Sequence, residues 1–250
     1  MKIFDAFFMT LSMFCAVPCP YRPWREELRG MLLLFLPSVG AVVGLLWAAA
    51  AWICMRFSLP EPLTAAAVVC APYLATGFFH LDGFLDTSDA VLSRRDRDER
   101  LRILKDSRVG AFAVISFGLL LTAAFAGGLA FAGRGKDAGL LFFIPVCTRA
   151  AAALAMTYGR PLPHSQYHAQ ERAAVPAWKG ALLAVQLFLP AAAAWLWLGA
   201  SGLAVCAAAV LGYAAAMCYA AHDLGGVSGD LSGYALTLGE LAGLLAAALL

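Results

Sequence analysis

The chain alternates long apolar runs with short polar stretches. Runs from Met31 to Met55, Leu63 to Phe79, Ala111 to Ala132, Ala138 to Tyr158, Ala181 to Leu198, Gly202 to Ala221 and Leu231 to Leu250 each reach the roughly 17–25 residues that a helix needs to cross a bilayer. In hydrocarbon every backbone N–H and C=O must bond within its own segment, so each run predicts a helix. The expected fold is all-α, a polytopic integral membrane bundle of about seven transmembrane helices in one domain over residues 1–250, without an internal repeat. Pro37, Pro72, Pro145 and Pro190 fall inside runs, where packed neighbours can re-satisfy the freed backbone groups. The run from Phe4 to Val17 is shorter, interrupted by Thr10 and Ser12, and followed by Pro18-Cys19-Pro20 rather than a small-residue cleavage site. It reads as a retained segment lying at the membrane interface.

Composition agrees. The 250 residues are 62% hydrophobic and 14% charged, against roughly a quarter charged in soluble domains. A soluble enzyme, a disordered regulator and a disulfide-stapled secreted module are excluded together, because a core of this size cannot hide so much apolar surface. The seven cysteines contain no CxxC pair and lie mostly in apolar runs, so they read as small packing residues in a reducing setting. The net charge of +2 gives no reason to expect a nucleic-acid partner; the bilayer is the expected surroundings, and homo-oligomerisation is left open.

The charges are unevenly placed. If the runs alternate direction, fourteen Lys and Arg residues fall on the side of the N-terminus and only Arg56, Arg134 and Lys136 on the other. The positive-inside rule then puts the N-terminal side in the cytoplasm. The same parity gathers His80 to Gly110, Gly159 to Gly180 and His222 to Gly229 on that face, where they can build one site.

The stretch His80-Leu81-Asp82-Gly83-Phe84-Leu85-Asp86-Thr87-Ser88-Asp89 spaces three carboxylates by four and three, which on a helix keeps them within roughly 60° of one face. Such hard oxygen donors suit Mg²⁺ or Mn²⁺; the competing reading is a solvated helix start paired with the arginines downstream. Asp96, Asp98 and Glu99 alternate with Arg94, Arg95, Arg97, Arg100 and Arg102 as a solvated surface does, the arginines being suited to lipid headgroups or to a phosphorylated substrate. Lys105-Asp106-Ser107-Arg108-Val109-Gly110 puts two cations and a hydroxyl where the chain re-enters the membrane, an arrangement suited to phosphate. The glycine-rich loop Asp223 to Asp230 opens the last apolar helix, so it is either a tight turn or an anion cradle at a helix N-terminus. Arg149 lies in mid-span at a cost of about 2.5–3.5 kcal/mol on insertion scales; an ion pair with Glu240 and a reach to substrate phosphate both answer that cost. His80 falls about 160° from Asp82 on a helix and is a candidate substrate contact. His164, His168 and His222 have no partner visible in the sequence.

These residues describe a membrane-embedded, divalent-metal enzyme acting on a phosphorylated substrate from the cytoplasmic face. The run Thr76 to Asp89, continued by Lys105 to Gly110, closely resembles the cobalamin synthases, the adenosylcobinamide-GDP ribazoletransferases. Pro37 with Gly40 and Gly44, Arg149, the loop Gly225 to Asp230 and Gly239-Glu240 follow in the family's order, so the resemblance covers nearly the whole chain. Near the start, Cys15-Ala16-Val17-Pro18-Cys19-Pro20 stands where many members carry Thr-Arg before Pro-x-Pro.

The resemblance implies a bacterial inner-membrane enzyme of late cobalamin biosynthesis. In its reaction the ribose 5′-hydroxyl of α-ribazole, or of its 5′-phosphate, attacks adenosylcobinamide-GDP and GMP leaves. It further implies Mg²⁺ held by Asp82, Asp86 and Asp89 with Asp230 as a fourth ligand, phosphates bound by Lys105, Arg108 and Arg149, and a site lined by Ser107, Ser228 and Gly229, with His80 as a substrate contact. A transporter for a phosphorylated or corrinoid solute is the alternative, but repeated halves with charges at the midplane are not visible. The Asp-Gly-x-x-Ala-Arg signature of CDP-alcohol phosphotransferases is half present, since Asp86-Thr87 stands in place of Ala-Arg.

Overall fold

The computed structural model describes residues 2–162 and 176–250. Among these the chain is helical, with no strand beyond an isolated bridge between Pro161 and Val227. The helices are α1 (Lys2–Phe14), α2 (Leu32–Arg56), α3 (Glu61–Ala75), α4 (Phe79–Leu92), α5 (Arg97–Ile103), α6 (Ala111–Gly133), α7 (Gly139–Tyr158), α8 (Ala177–Leu224) and α9 (Gly229–Leu249). Five are long and apolar enough to cross a membrane, or six if α3 and α4 form one broken span. The chain is a multi-pass membrane protein.

Two departures from the hydropathy pattern have local causes. The run Leu63 to Phe79 predicts one span, but α3 stops at Ala75 and α4 leaves it at 93°. Gly77 and Phe78 take left-handed backbone (φ +58° and +66°), a conformation that ends a helix, and their N–H groups donate to the carbonyls of Leu74 and Tyr73. With 14 residues and several polar side chains, α4 lies across one end of the bundle instead of spanning it. The second departure is α8, whose 48 residues would reach about 72 Å if straight. Gly199 breaks it (φ +64°, ψ −147°), and a Cβ on Gly202 would run into the carbonyl of Ala194, whereas in a continuous helix those positions lie about 12 Å apart. The chain therefore folds back into two arms, matching the two runs Ala181 to Leu198 and Gly202 to Ala221.

Small residues bring the spans together. A Cβ on Gly40 would sit 2.5 Å from the carbonyl oxygen of Pro145, and one on Gly44 would strike that of Phe142, so α2 and α7 pack backbone to backbone through a Gly-x-x-x-Gly stripe. Gly239 meets Ala209 and Tyr213 in the same way, seating α9 on the second arm of α8. Amphipathic α1 lies on α2, burying Ala6 and Met9 against Leu28 and Leu32 and leaving Ile3 and Phe4 exposed.

The bundle has two distinct ends. At one, Arg134 donates to the carbonyls of Ala248 and Leu249 and Glu61 lies against Gly133. At the other, Lys179 donates to the Gly30 carbonyl at 3.1 Å, Tyr158 meets Gly180, and α4, α5 and the α8–α9 turn come together. The alternating direction inferred from the apolar runs is the direction seen.

Candidate active site

Helix α4 crosses the start of α9 at glycine contacts. A Cβ on Gly83 would lie 2.7 Å from the Asp230 carbonyl oxygen, and one on Gly233 2.8 Å from that of His80. Only glycines allow this approach, and it brings Asp82 and Asp86 of α4 beside Asp230 in the first turn of α9. Asp82 and Asp230 are exposed and Asp86 half-buried. None of the three forms an ion pair among the described residues. Partial burial, and after it the carboxylates of Asp82, Asp230 and Asp89, push the Asp86 carboxyl up to about 6. Ser228 caps α9, its side-chain oxygen accepting from the Leu231 N–H at 3.3 Å.

Asp89 shares the acid face by spacing but has other work. Its Oδ2 accepts from the Gly110 N–H at 2.5 Å and its Oδ1 from the Ala113 N–H at 2.9 Å, and the side chain is buried. Both oxygens hold the first turn of α6, whose orphan N–H groups and dipole favour a carboxylate. Of the four acids expected from the sequence as metal ligands, Asp89 is thus engaged by backbone N–H groups, and among the described residues no three His, Cys, Asp or Glu side chains form a ready-made metal site. Asp82, Asp86 and Asp230 remain as an open group of hard donors.

Lys105, Ser107 and Arg108 are exposed on the segment that leads from α5 into α6, tied to α4 through the Gly110–Asp89 bond. Arg108 chelates Asp106, its Nη2 donating at 2.7 Å and its Nε at 3.0 Å. This pair holds the Asp106 carboxyl down to about 2.

Arg149 differs from the expectation of a phosphate ligand. It is fully buried and pairs with Glu240, donates to Thr148 Oγ1 at 3.3 Å and reaches His80 Nδ1 at 3.4 Å. The pair offsets the cost of a mid-span charge, so the intramembrane ion pair is the arrangement seen. His80 faces away from the acids, as its helical angle implies: it is buried, stacked on Phe14 with rings 6° apart. Burial and the Arg149 cation hold it neutral, well below its usual range.

Arg97 and Arg100 were not legible as site residues. Sequence alone assigns them to lipid or substrate, but Arg97 Nε donates to the Leu224 carbonyl at 2.8 Å and Arg100 pairs with Asp223. The Arg97 guanidinium fills the space beside Gly225 (φ +87°) where a Cβ would stand. Two cations at the C-terminus of α8 complement its dipole and fix the turn that leads to Asp230. The three-residue spacing on α5 signals a shared face, though not its partner. The Val227 N–H donates to the Arg160 carbonyl at 2.7 Å, pinning the other side of the turn. His222 is exposed; His164 and His168 lie outside the described residues.

An acidic crossing thus lies at one end of a polytopic bundle, beside an exposed basic segment. The chain matches cobalamin-5-phosphate synthase over residues 6–248. It belongs to that family. It is 37% identical over 246 residues to the adenosylcobinamide-GDP ribazoletransferase of Clostridium perfringens (strain 13 / Type A), covering 98% of both chains. It is 32% identical to that of Clostridium botulinum (strain Alaska E43 / Type E3), over 99% of this chain and 98% of the relative, and 36% identical to that of Pseudomonas savastanoi pv. phaseolicola, over 98% and 99%. No solved structure matches the chain. For the cobalamin-5-phosphate synthase family, the match spans the α4 acids, the basic segment and the α9 start together.

Proposed function

We propose that this chain joins adenosylcobinamide-GDP to α-ribazole or its 5′-phosphate, forming adenosylcobalamin or its 5′-phosphate and releasing GMP. The observation that carries this reading is the meeting of Asp82, Asp86 and Asp230 at the α4–α9 crossing, in a chain whose full-length relatives bear that enzyme's name. The ribose 5′-oxygen attacks the cobinamide-bearing phosphorus, the bond from that phosphorus to the GMP oxygen breaks, and the nucleophile's proton passes to water.

Mg²⁺ fits the donor set. Three hard carboxylates without a closed cage suit an ion that keeps several waters and takes its other ligands from phosphate oxygens. Bound by Asp82, Asp86 and Asp230 it would neutralise the charge that develops on the departing GMP. Lys105 and Arg108, both exposed, would bind the diphosphate from the basic segment; Arg108 must then leave Asp106. Ser107, Ser228 and Gly229 border the same end. The positive excess at that end supports a cytoplasmic site, where nucleotide substrates are made.

The test is GMP release by the purified protein in phospholipid vesicles, supplied with adenosylcobinamide-GDP and α-ribazole. The account expects release that needs both substrates, stops with a chelator and returns with Mg²⁺. Release without α-ribazole, or none with both present, contradicts it.

A further inference from the structure

Beside the acidic crossing, on the other face of α4, lies a cavity of about 60 Å³ between α1, α2, α4, α7 and α9. Its wall is apolar, built from side chains such as Phe14, Met13 and Met156, with only His80 and Ser232 offering polar side-chain atoms and Gly229 at its edge. A small number of placed polar groups in an apolar wall is the ordinary build of a small-molecule site. Two of its elements are those of the acidic crossing: His80 precedes Asp82 by two residues and Gly229 precedes Asp230 directly.

The chemistry of His80 narrows the occupant. A guanidinium only donates, so the 3.4 Å contact from Arg149 makes Nδ1 the acceptor and places the ring proton on Nε2. Nε2–H makes no hydrogen bond among the described residues, although His80 is buried and borders the cavity. The ring lies parallel to that of Phe14, their centroids 6.3 Å apart. What fits an apolar cavity with one fixed N–H donor is a planar apolar ring that carries one in-plane acceptor nitrogen. An N-ribosylated benzimidazole has those features: an apolar bicycle whose one unsubstituted ring nitrogen accepts in the plane. The corrinoid and guanine parts of the other substrate do not, being respectively too large and rimmed with polar groups.

We propose that this cavity is the subsite for the aromatic base of the nucleoside substrate, with His80 Nε2–H donating to its free ring nitrogen. The assignment rests on the reading of the chain as a ribazoletransferase. Met13 and Met156, unbranched and adaptable, widen the slot to the thickness and length of the bicycle. The ribose then extends past Gly229 toward Asp82, Asp86 and Asp230, where its 5′-oxygen is needed.

Gly229 permits a test, because a Cβ there meets nothing within 4 Å; Gly229→Leu adds bulk at the edge of the cavity without a clash at its Cβ. Two readouts are taken in phosphatidylethanolamine–phosphatidylglycerol vesicles: binding of α-ribazole alone by equilibrium dialysis, and kcat/KM for GMP release. Gly229→Leu and His80→Phe should each weaken α-ribazole binding by about tenfold or more while the KM for adenosylcobinamide-GDP moves less than about twofold. Met156→Ala, which enlarges the slot, should raise the preference for a naphthimidazole riboside over α-ribazole by about tenfold, a ratio from which any loss of folded protein cancels. If α-ribazole affinity is unchanged in Gly229→Leu and the preference is unchanged in Met156→Ala, the proposal is overturned and the cavity is left to a lipid chain. If the wild type binds α-ribazole through Gly229 and His80 but releases no GMP, the transferase reading fails and the subsite stands.

Discussion

Two regions of α4 carry the same residue type seven positions apart and treat it in opposite ways. At the α4–α9 crossing Asp82 and Asp86 stand with Asp230, without an ion pair among the described residues, and partial burial together with their crowding pushes the Asp86 carboxyl up to about 6. At the α4–α6 junction Asp89 is buried and gives both oxygens to the N–H groups of Gly110 and Ala113. Spacing on a helix puts all three on one face, but it is the neighbour that decides what a carboxylate does. A helix N-terminus satisfies one and makes it structural. A glycine-tight crossing leaves the others without an ion pair among the described residues. Glu240 belongs with Asp89, because Arg149 occupies it within the membrane.

If that division holds, the largest effect on folding comes from the satisfied group. Arg149→Gln strands Glu240 in an apolar core, and removing one member of a buried pair costs about 3–5 kcal/mol. Arg149→Gln should therefore accumulate poorly in membranes, and Arg149→Gln with Glu240→Gln should recover most of the folded protein. Thermal unfolding in detergent checks this; a double mutant no better than the single would return Arg149 to the substrate.

Asp89→Ala comes next. It orphans two N–H groups at the start of α6, at about 1–3 kcal/mol, so the unfolding midpoint should drop while the Mg²⁺ dependence of the remaining activity stays put. A shifted Mg²⁺ requirement would place Asp89 back among the ligands.

The smallest effect is a pH slope. Asp86 holds its proton to about pH 6 when folded, above the ordinary carboxylate range near 4. The folded state then binds more protons than the unfolded one, and stability falls as pH rises from about 4 through 6. With a chelator present the wild-type unfolding midpoint should decline across that window, and Asp86→Asn should flatten the decline. An equal slope in both proteins would show that the crossing is not crowded.

Much of this was legible in the sequence because the bilayer leaves few choices. The runs Met31 to Met55, Ala111 to Ala132 and Ala138 to Tyr158 match α2, α6 and α7 to within a residue at each end, since a spanning segment must be long, apolar and helical. Hydropathy misplaced the end of α3, because Thr76 to Phe79 is apolar enough to continue a helix while the left-handed backbone at Gly77 and Phe78 ends it. The four-and-three spacing singled out Asp82 and Asp86, which stand at the α4–α9 crossing. It could not separate Asp89 from Asp86, nor give Arg97 and Arg100 their place on the α8–α9 turn, because those roles depend on groups more than 20 and more than 120 residues away in the chain.

The division between open and satisfied acids is tested most directly by titrating Mg²⁺ against GMP release in Asp86→Asn and Asp89→Asn, each at matched folded protein. Losing a ligand that acts on the transition state costs about 10²–10³ in rate. Asp86→Asn should lose activity on that scale and need more Mg²⁺ for what remains, while Asp89→Asn should keep the wild-type Mg²⁺ requirement. Equal Mg²⁺ curves for Asp86→Asn and wild type, or a larger displacement in Asp89→Asn, would contradict the account.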